Sequence, residues 1–104
     1  MVKAAAMRKR YILFEYSGLI MQEEELKRAL GSEALKFFGE LGMSYAAFKL
    51  LEYDAGTKRG MLRCERSYLD KVLGFFALIS SLDGKPARTR SIKSSGTIAS
   101  LKSG

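Results

Sequence analysis

The stretch KRGMLRCE, residues 58 to 65, places two cations before a glycine on what reads as a strand. RNA-recognition motifs open in this way, then present aromatic rings on which bases stack. Here the rings do not follow: Met61, Arg63 and Glu65 stand at the positions that would carry them. Reading of single strands by stacked aromatics is therefore disfavoured. Lys58, Arg59 and Arg63 remain as candidates for phosphate contact, against the plainer reading of a solvated turn.

Other groups that could do chemistry fare worse. Glu23, Glu24 and Glu25 are consecutive, so a helix cannot turn all three toward one ion, and they suit instead the first turn of a helix, where the dipole favours anions. Glu52, Asp54 and Glu65 can pair with cations across a hairpin. Cys64 is the only cysteine, which rules out an intrachain disulfide and a sulfur-rich metal site, and it reads as a buried structural thiol. Histidine is absent, and with it the usual general base at neutral pH and the commonest zinc ligand. We expect no catalytic residue, no metal and no cofactor on this chain.

Charge is the strongest compositional signal. Eighteen Lys and Arg against eleven Asp and Glu give +7 in 104 residues, which favours a polyanionic partner. All eleven acids fall between residues 11 and 83, where nine cations nearly balance them. The excess therefore sits at the two ends: Lys3, Arg8, Lys9 and Arg10 at one, Lys85, Arg88, Arg90, Lys93 and Lys102 at the other. Arginine forks suit phosphate bidentately, and Ser95, Gly96 and Thr97 offer small residues where a nucleic-acid backbone could come close. If the first and last strands are neighbours, Arg8 to Arg10 and Arg88 to Lys93 add into one positive surface.

The elements that would position these groups follow from periodicity. RYILFEYSG (10 to 18) predicts a strand, with Ile12, Phe14 and Tyr16 on one face and Tyr11, Leu13 and Glu15 on the other; apolar residues on both faces make it central. Residues 21 to 42 predict a helix on the spacing of Leu26, Leu30, Ala34, Phe37, Phe38 and Leu41, with Gly31 as a kink and Gly42 as the stop. Residues 47 to 65 predict a hairpin turning at 54 to 58, with Leu62 and Cys64 inward. Residues 67 to 86 predict a second helix, with Ser67 and Asp70 as a capping box and Gly84 and Pro86 as stops. A last strand runs from Arg88 to about Leu101, with an interruption at 94 to 96.

The order β-α-β-β-α-β makes this an α+β chain of the ferredoxin-like, RRM-like type, an antiparallel sheet with two main helices on one face. The length and the 47% hydrophobic content fit one domain over residues 1 to 104, with a folded core from 8 to 101 and mobile termini. No apolar run is long enough to span a bilayer, so we expect a cytoplasmic protein without a membrane partner. Phe37, Phe38, Phe75 and Phe76 form two adjacent pairs that cover more than one helix face, which points to a protein interface.

Taken together, RYILFEY, LKRALGSEALKFFGELG, KLLEYD, KRGMLRCERSYLDKVLGFFALIS and RTRSIKSSGTI resemble the small Pop-type protein subunit of archaeal and eukaryotic ribonuclease P. The strand GMLRC and the terminal SGTI are the most specific pieces. The resemblance implies a subunit that binds and folds the RNA of an enzyme removing the 5′ leader from precursor tRNA. In such an enzyme the RNA is the catalyst and the RNA holds the metal ions. It also implies a TIM-barrel protein partner and assembly into a heterotetramer. Two other readings use the same charge or fold: a general RNA-binding scaffold or ribosome-associated protein, and a small-ligand domain. The second lacks a Gly-rich anion loop entering a helix.

Overall fold

The computed structural model describes residues 8–103. The expectations for residues 1 to 7, Lys3 included, lie outside the described residues. Strand β1 (Lys9–Gly18) leads to helix α1 (Glu23–Ala46), the hairpin β2 (Lys49–Asp54) and β3 (Arg59–Glu65), a 3-10 turn at Arg66–Tyr68, and helix α2 (Leu69–Leu78). A two-residue strand β4 (Ser81–Leu82), the long strand β5 (Lys85–Ser95) and a short helix α3 (Ile98–Ser103) complete the order. The sheet is antiparallel in the order β2-β3-β1-β5-β4. It is the expected α+β arrangement with one strand and one helix added.

β1 is central because its two faces are both serviceable. Ile12, Phe14 and Tyr16 alternate along one face at no more than 1% exposure and meet Leu26, Leu30 and Ala34 of α1 and Val72, Phe75 and Phe76 of α2 in one core. Both main helices therefore lie on that face. Each of these strand side chains contributes roughly 1.5–3 kcal/mol through burial. Leu62 and Cys64 face inward from β3 as expected, and Thr89 enters from β5 by donating its hydroxyl to the Phe76 carbonyl at 3.0 Å.

Four boundaries differ from the sequence reading. The kink in α1 falls at Gly39, whose φ of 79° leaves the helical region, and not at Gly31. Gly42 does not stop the helix; it ends at Ala47, which takes the left-handed conformation and donates its N–H to the Met43 carbonyl. Ser67 and Asp70 form no cap, because a 3-10 turn precedes α2. The reciprocal contact belongs instead to α1, where the Gln22 N–H donates to the Glu25 carboxylate at 3.0 Å.

The fourth difference is at the end. Asp83 and Gly84, at φ 56° and 78°, do not end a helix but turn the β4–β5 hairpin, for which Asp-Gly is the preferred pair. Pro86 then lies within β5, on the short β4 edge where a missing N–H is tolerated. The strand stops at Ser95, and the segment from Ile98 is helical where a strand and a mobile tail were expected.

Gly60 shows how tightly the centre is built. A Cβ there would stand 2.8 Å from Cζ of Phe14 and 3.0 Å from the Glu52 carbonyl, whereas one on Gly31 would meet nothing within 4 Å. We predict that Gly60→Ala destabilises by about 1–3 kcal/mol through overpacking. Gly31→Ala should stabilise by about 0.5–1 kcal/mol through helix propensity. Denaturant melts of the two variants check the opposed signs.

Candidate nucleic-acid interface

The face opposite the main helices carries the charge, and the strand register arranges it in rows. One row runs Lys49, Arg63, Tyr11, Ser95; the next Glu52, Met61, Leu13, Lys93; the third Asp54, Arg59, Glu15, Arg90. Arg88 lies opposite Ser17 beyond the third row, and Lys9 opposite Glu65 before the first. Seven cations and four acids thus share this face.

Lys93 is there because of a bulge. Along β5 Arg88 and Arg90 point outward while Thr89 turns to the core; simple alternation would send Ile92 outward and Lys93 inward. The pairing shifts between Leu13 and Phe14, so that Leu13 is opposite Lys93 while Phe14 is opposite Ser91. The extra residue returns Lys93 to the face of the arginines. A matching shift between Leu50 and Glu52 in β2 keeps Lys49 and Glu52 on the same face.

Ion pairs hold part of the array. The Arg90 guanidinium lies 2.6 Å from one Glu15 carboxylate oxygen and Arg59 Nε 4.0 Å from the other, so a carboxylate on the central strand links cations on both flanking strands. Lys9 reaches Glu65 at 3.6 Å. These pairs are exposed enough to be worth only about 0–1 kcal/mol each, so they set geometry more than stability. The Arg63 Nε is buried without a hydrogen-bond partner among the described residues.

Other expected contacts fall elsewhere. The two basic ends merge only in part: Lys9 shares the outward face with Lys93, Arg90 and Arg88, but β1 and β5 run antiparallel, so Arg10 sits beside Gly96 while Arg88 is opposite Ser17, roughly 20 Å away along the strand. Arg10 also pairs with Cys64, whose side chain faces inward, and so lies on the opposite side of the sheet from Arg88 and Arg90. Arg8 is exposed at the start of β1, its carbonyl accepting from the Arg66 N–H. Lys58 serves the turn: its ammonium donates to the Gly18 carbonyl at 3.2 Å and its own carbonyl accepts from Tyr16 N–H. Ser95 and Thr97 use their hydroxyls on the chain itself, accepting from the N–H of Thr97 and of Ser100. Gly96 is confined by Arg10, whose Nη1 would lie 2.6 Å from a Cβ there.

Lys49 was missed. Regular pairing counted back from the turn at 54 to 58 would set residue 49 opposite the inward-facing Cys64, and only the extra residue between Leu50 and Glu52 brings it opposite Arg63, so the sequence carried no local signal for it. Of the four phenylalanines expected at a protein interface, Phe75 and Phe76 are buried in the chain's own core, because α2 packs against the sheet on the same face as α1. Phe37 is about half exposed and stacks on Phe75 at 5.4 Å, with Phe38 partly buried beside it. Leu41, Tyr45 and Leu78 are exposed on the helical side. No group of acids and Cys64 capable of holding a metal occurs among the described residues.

Against this geometry, the model of the Rpp14/Pop5 family matches residues 10–103. The chain belongs to the Rpp14/Pop5 family. It is 34% identical over 96 residues to ribonuclease P protein component 2 of Pyrococcus furiosus, covering 91% of this chain and 80% of that one. The component 2 proteins of Archaeoglobus fulgidus and Methanocaldococcus jannaschii are each 34% identical over 91% of this chain, and 85% and 70% of theirs. A chain in the cryo-EM structure of yeast ribonuclease MRP has the same fold, with a TM-score of 0.69 at 14% identity over 86% of this chain and 75% of that one.

Cys64 closes the question of thiol chemistry. Burial, with a smaller push from the Glu65 charge that Lys9 partly offsets, raises the thiol to about 11. The unfolded thiol ionises near its ordinary value of about 8.5, so between there and about 11 the unfolded chain binds fewer protons and stability falls as pH rises. Below that window the thiol costs nothing. We predict that the denaturation midpoint of Cys64→Ala declines less steeply than that of the parent between pH 8.5 and 11, and that the native thiol resists alkylation at neutral pH.

Proposed function

We propose that this chain is the RNA-binding, non-catalytic protein subunit of ribonuclease P, contacting the enzyme's RNA through the cationic face of its sheet. The observation that carries the reading is the register that gathers Lys49, Arg59, Arg63, Arg88, Arg90 and Lys93 on one face, in a family whose relatives are ribonuclease P components. Phosphates have a geometric match in forked guanidinium groups held by Glu15, and binding of this kind draws its free energy from released counterions. The chain's part in removing the 5′ leader of precursor tRNA is then to hold and shape RNA, while the metal ions and the chemistry reside in that RNA. The absence of histidine from the sequence agrees with such a role.

The helical side supplies the protein contacts of this reading. Phe37, which lines one groove with Leu78, offers apolar area to the TIM-barrel subunit, with Leu41 and Tyr45 also exposed beyond the bend of α1, and pairing of two such complexes gives a heterotetramer. Phe38 supports Phe37 from below at 4.9 Å between ring centroids. Charged and apolar surfaces on opposite sides allow RNA and protein to bind at once. Among the described residues no helix is long and apolar enough to cross a membrane, and the reading places the complex in the cytoplasm.

Two measurements test this. Capture of the chain from cells followed by RNA sequencing should recover ribonuclease P RNA; ribosomal RNA alone would favour the scaffold reading. For the surface itself, Arg88→Ala removes a cation that shares the ladder face but lies outside the Glu15 pairs. It should lower the slope of log K against log salt for RNA binding by about 0.7–0.9. An unchanged slope would remove β5 from the interface.

A further inference from the structure

The sheet face that carries the cations is not fully open. Lys93 lies on it, opposite Leu13, and donates its ammonium to the Ser100 carbonyl of α3 at 3.1 Å, which places α3 over that face. Leu101 of α3 is only 4% exposed, and Met61, opposite Leu13 on the same face, only 3%; neither belongs to the main core. α3 packs on β1 and β5.

Its hold is slight. Six residues are too few for a helix to persist without packing. Leu101 is its one buried side chain among those described, Ile98 being 39% exposed. The joint to β5 is Gly96, and the turn beyond it is made by hydroxyl contacts of Ser95 and Thr97 that are local to the segment. Undocking would break no strand pairing, since β5 ends at Ser95.

What α3 covers has its own chemistry. Tyr11, Leu13 and Met61 form an aromatic and apolar strip along adjacent rows, bordered by Arg63 on one side and Lys93 on the other. Arg63 carries a buried Nε donor with no partner among the described residues, and Lys93 would be freed when α3 leaves. A flat apolar strip with cations at its margins suits an unpaired nucleotide, with the base against the strip and phosphates on the cations. Duplex RNA, whose bases are stacked away, would use the margins alone.

Resting on the RNA-binding reading above, we propose that α3 is a displaceable cap, and that unpaired nucleotides bind the strip Tyr11–Leu13–Met61 when α3 swings out about Gly96. Docked α3 lowers the apparent affinity for single strands by the fraction of time the strip is covered. Structured RNA carrying an accessible unpaired segment is thereby favoured over incidental single strands, which must displace the cap unaided.

The test uses the whole chain and a short oligouridylate. In the parent protein, methyl resonances of Leu101 should move to the positions of an unstructured tail as oligouridylate saturates it. Leu101→Ser, which alters no charge, should bind the same probe about tenfold more tightly with the salt slope unchanged. Leu101 methyls that keep their buried shifts at saturation overturn the cap while leaving the cationic surface intact; so does a folded Leu101→Ser that binds no more tightly. Absence of any salt-dependent binding by either protein overturns the cap and the RNA-binding reading together. The resonance measurement needs no variant, so a poorly folded Leu101→Ser does not rescue the proposal.

Discussion

Everything in this molecule depends on the pleat of β1. It is flanked on both sides by long ladders, with β3 through Lys9 to Glu15 and with β5 through Tyr11 to Gly18. Its even-numbered residues Ile12, Phe14 and Tyr16 are all but completely buried under α1 and α2, so its odd-numbered residues must face the other way. A slip of one residue would exchange Phe14 for Glu15 in the core. The apolar face thereby also fixes where the charged face lies, since β3 and β5 take their register from β1. Close packing at Gly60, where Phe14 leaves no room for a Cβ, removes the remaining freedom in that register.

The same strand explains what could be read without coordinates. Alternation in RYILFEYSG, the helical spacing of Leu26, Leu30 and Ala34, and the turn at 54 to 58 each state a local preference that the tertiary structure also needs, and those elements form where expected. Failures cluster where two local signals compete. Gly31 and Gly39 look alike in sequence; only the one at 39 takes a left-handed φ, and beyond that bend Leu41 and Tyr45 are exposed while Met43 and Ala46 pack inward. Asp83-Gly84 served equally as a helix stop or a hairpin turn, and the two residues of β4 are too few to show alternation.

The candidate interface was legible in its residue types and less so in its geometry. Clustering of cations at the chain ends was correct as counting, but antiparallel pairing separates Arg10 from Arg88 and puts them on different faces. Nothing in the composition could show this, because it depends on which end of β5 meets the start of β1. The hydroxyl-rich run at 94 to 97 was open to a similar misreading. Serine and threonine suit a phosphate contact and a tight turn for the same reason, a short side chain with a donor and an acceptor. Here the turn engages the acceptors of Ser95 and Thr97, and the run becomes the joint to α3.

The two bulges show how a charged face survives on a strand that must also build a core. β5 has to deliver Ala87 and Thr89 inward near Phe76, and strict alternation from there would turn Lys93 inward. Burying its ammonium beside Ile12 and Leu62 would cost several kcal/mol without a partner. One extra residue at the shift resolves the conflict: Ile92 absorbs the change of phase and Lys93 emerges beside Leu13. β2 makes the same adjustment after Leu50, so Lys49 and Glu52 come out on the charged side while Leu50 and Tyr53 stay in the core. The cationic array is therefore a product of irregularity in the outer ladders laid against a regular central strand. Deleting a bulge residue would shift phase across the rest of its strand, losing the surface at the same step that exposes the core.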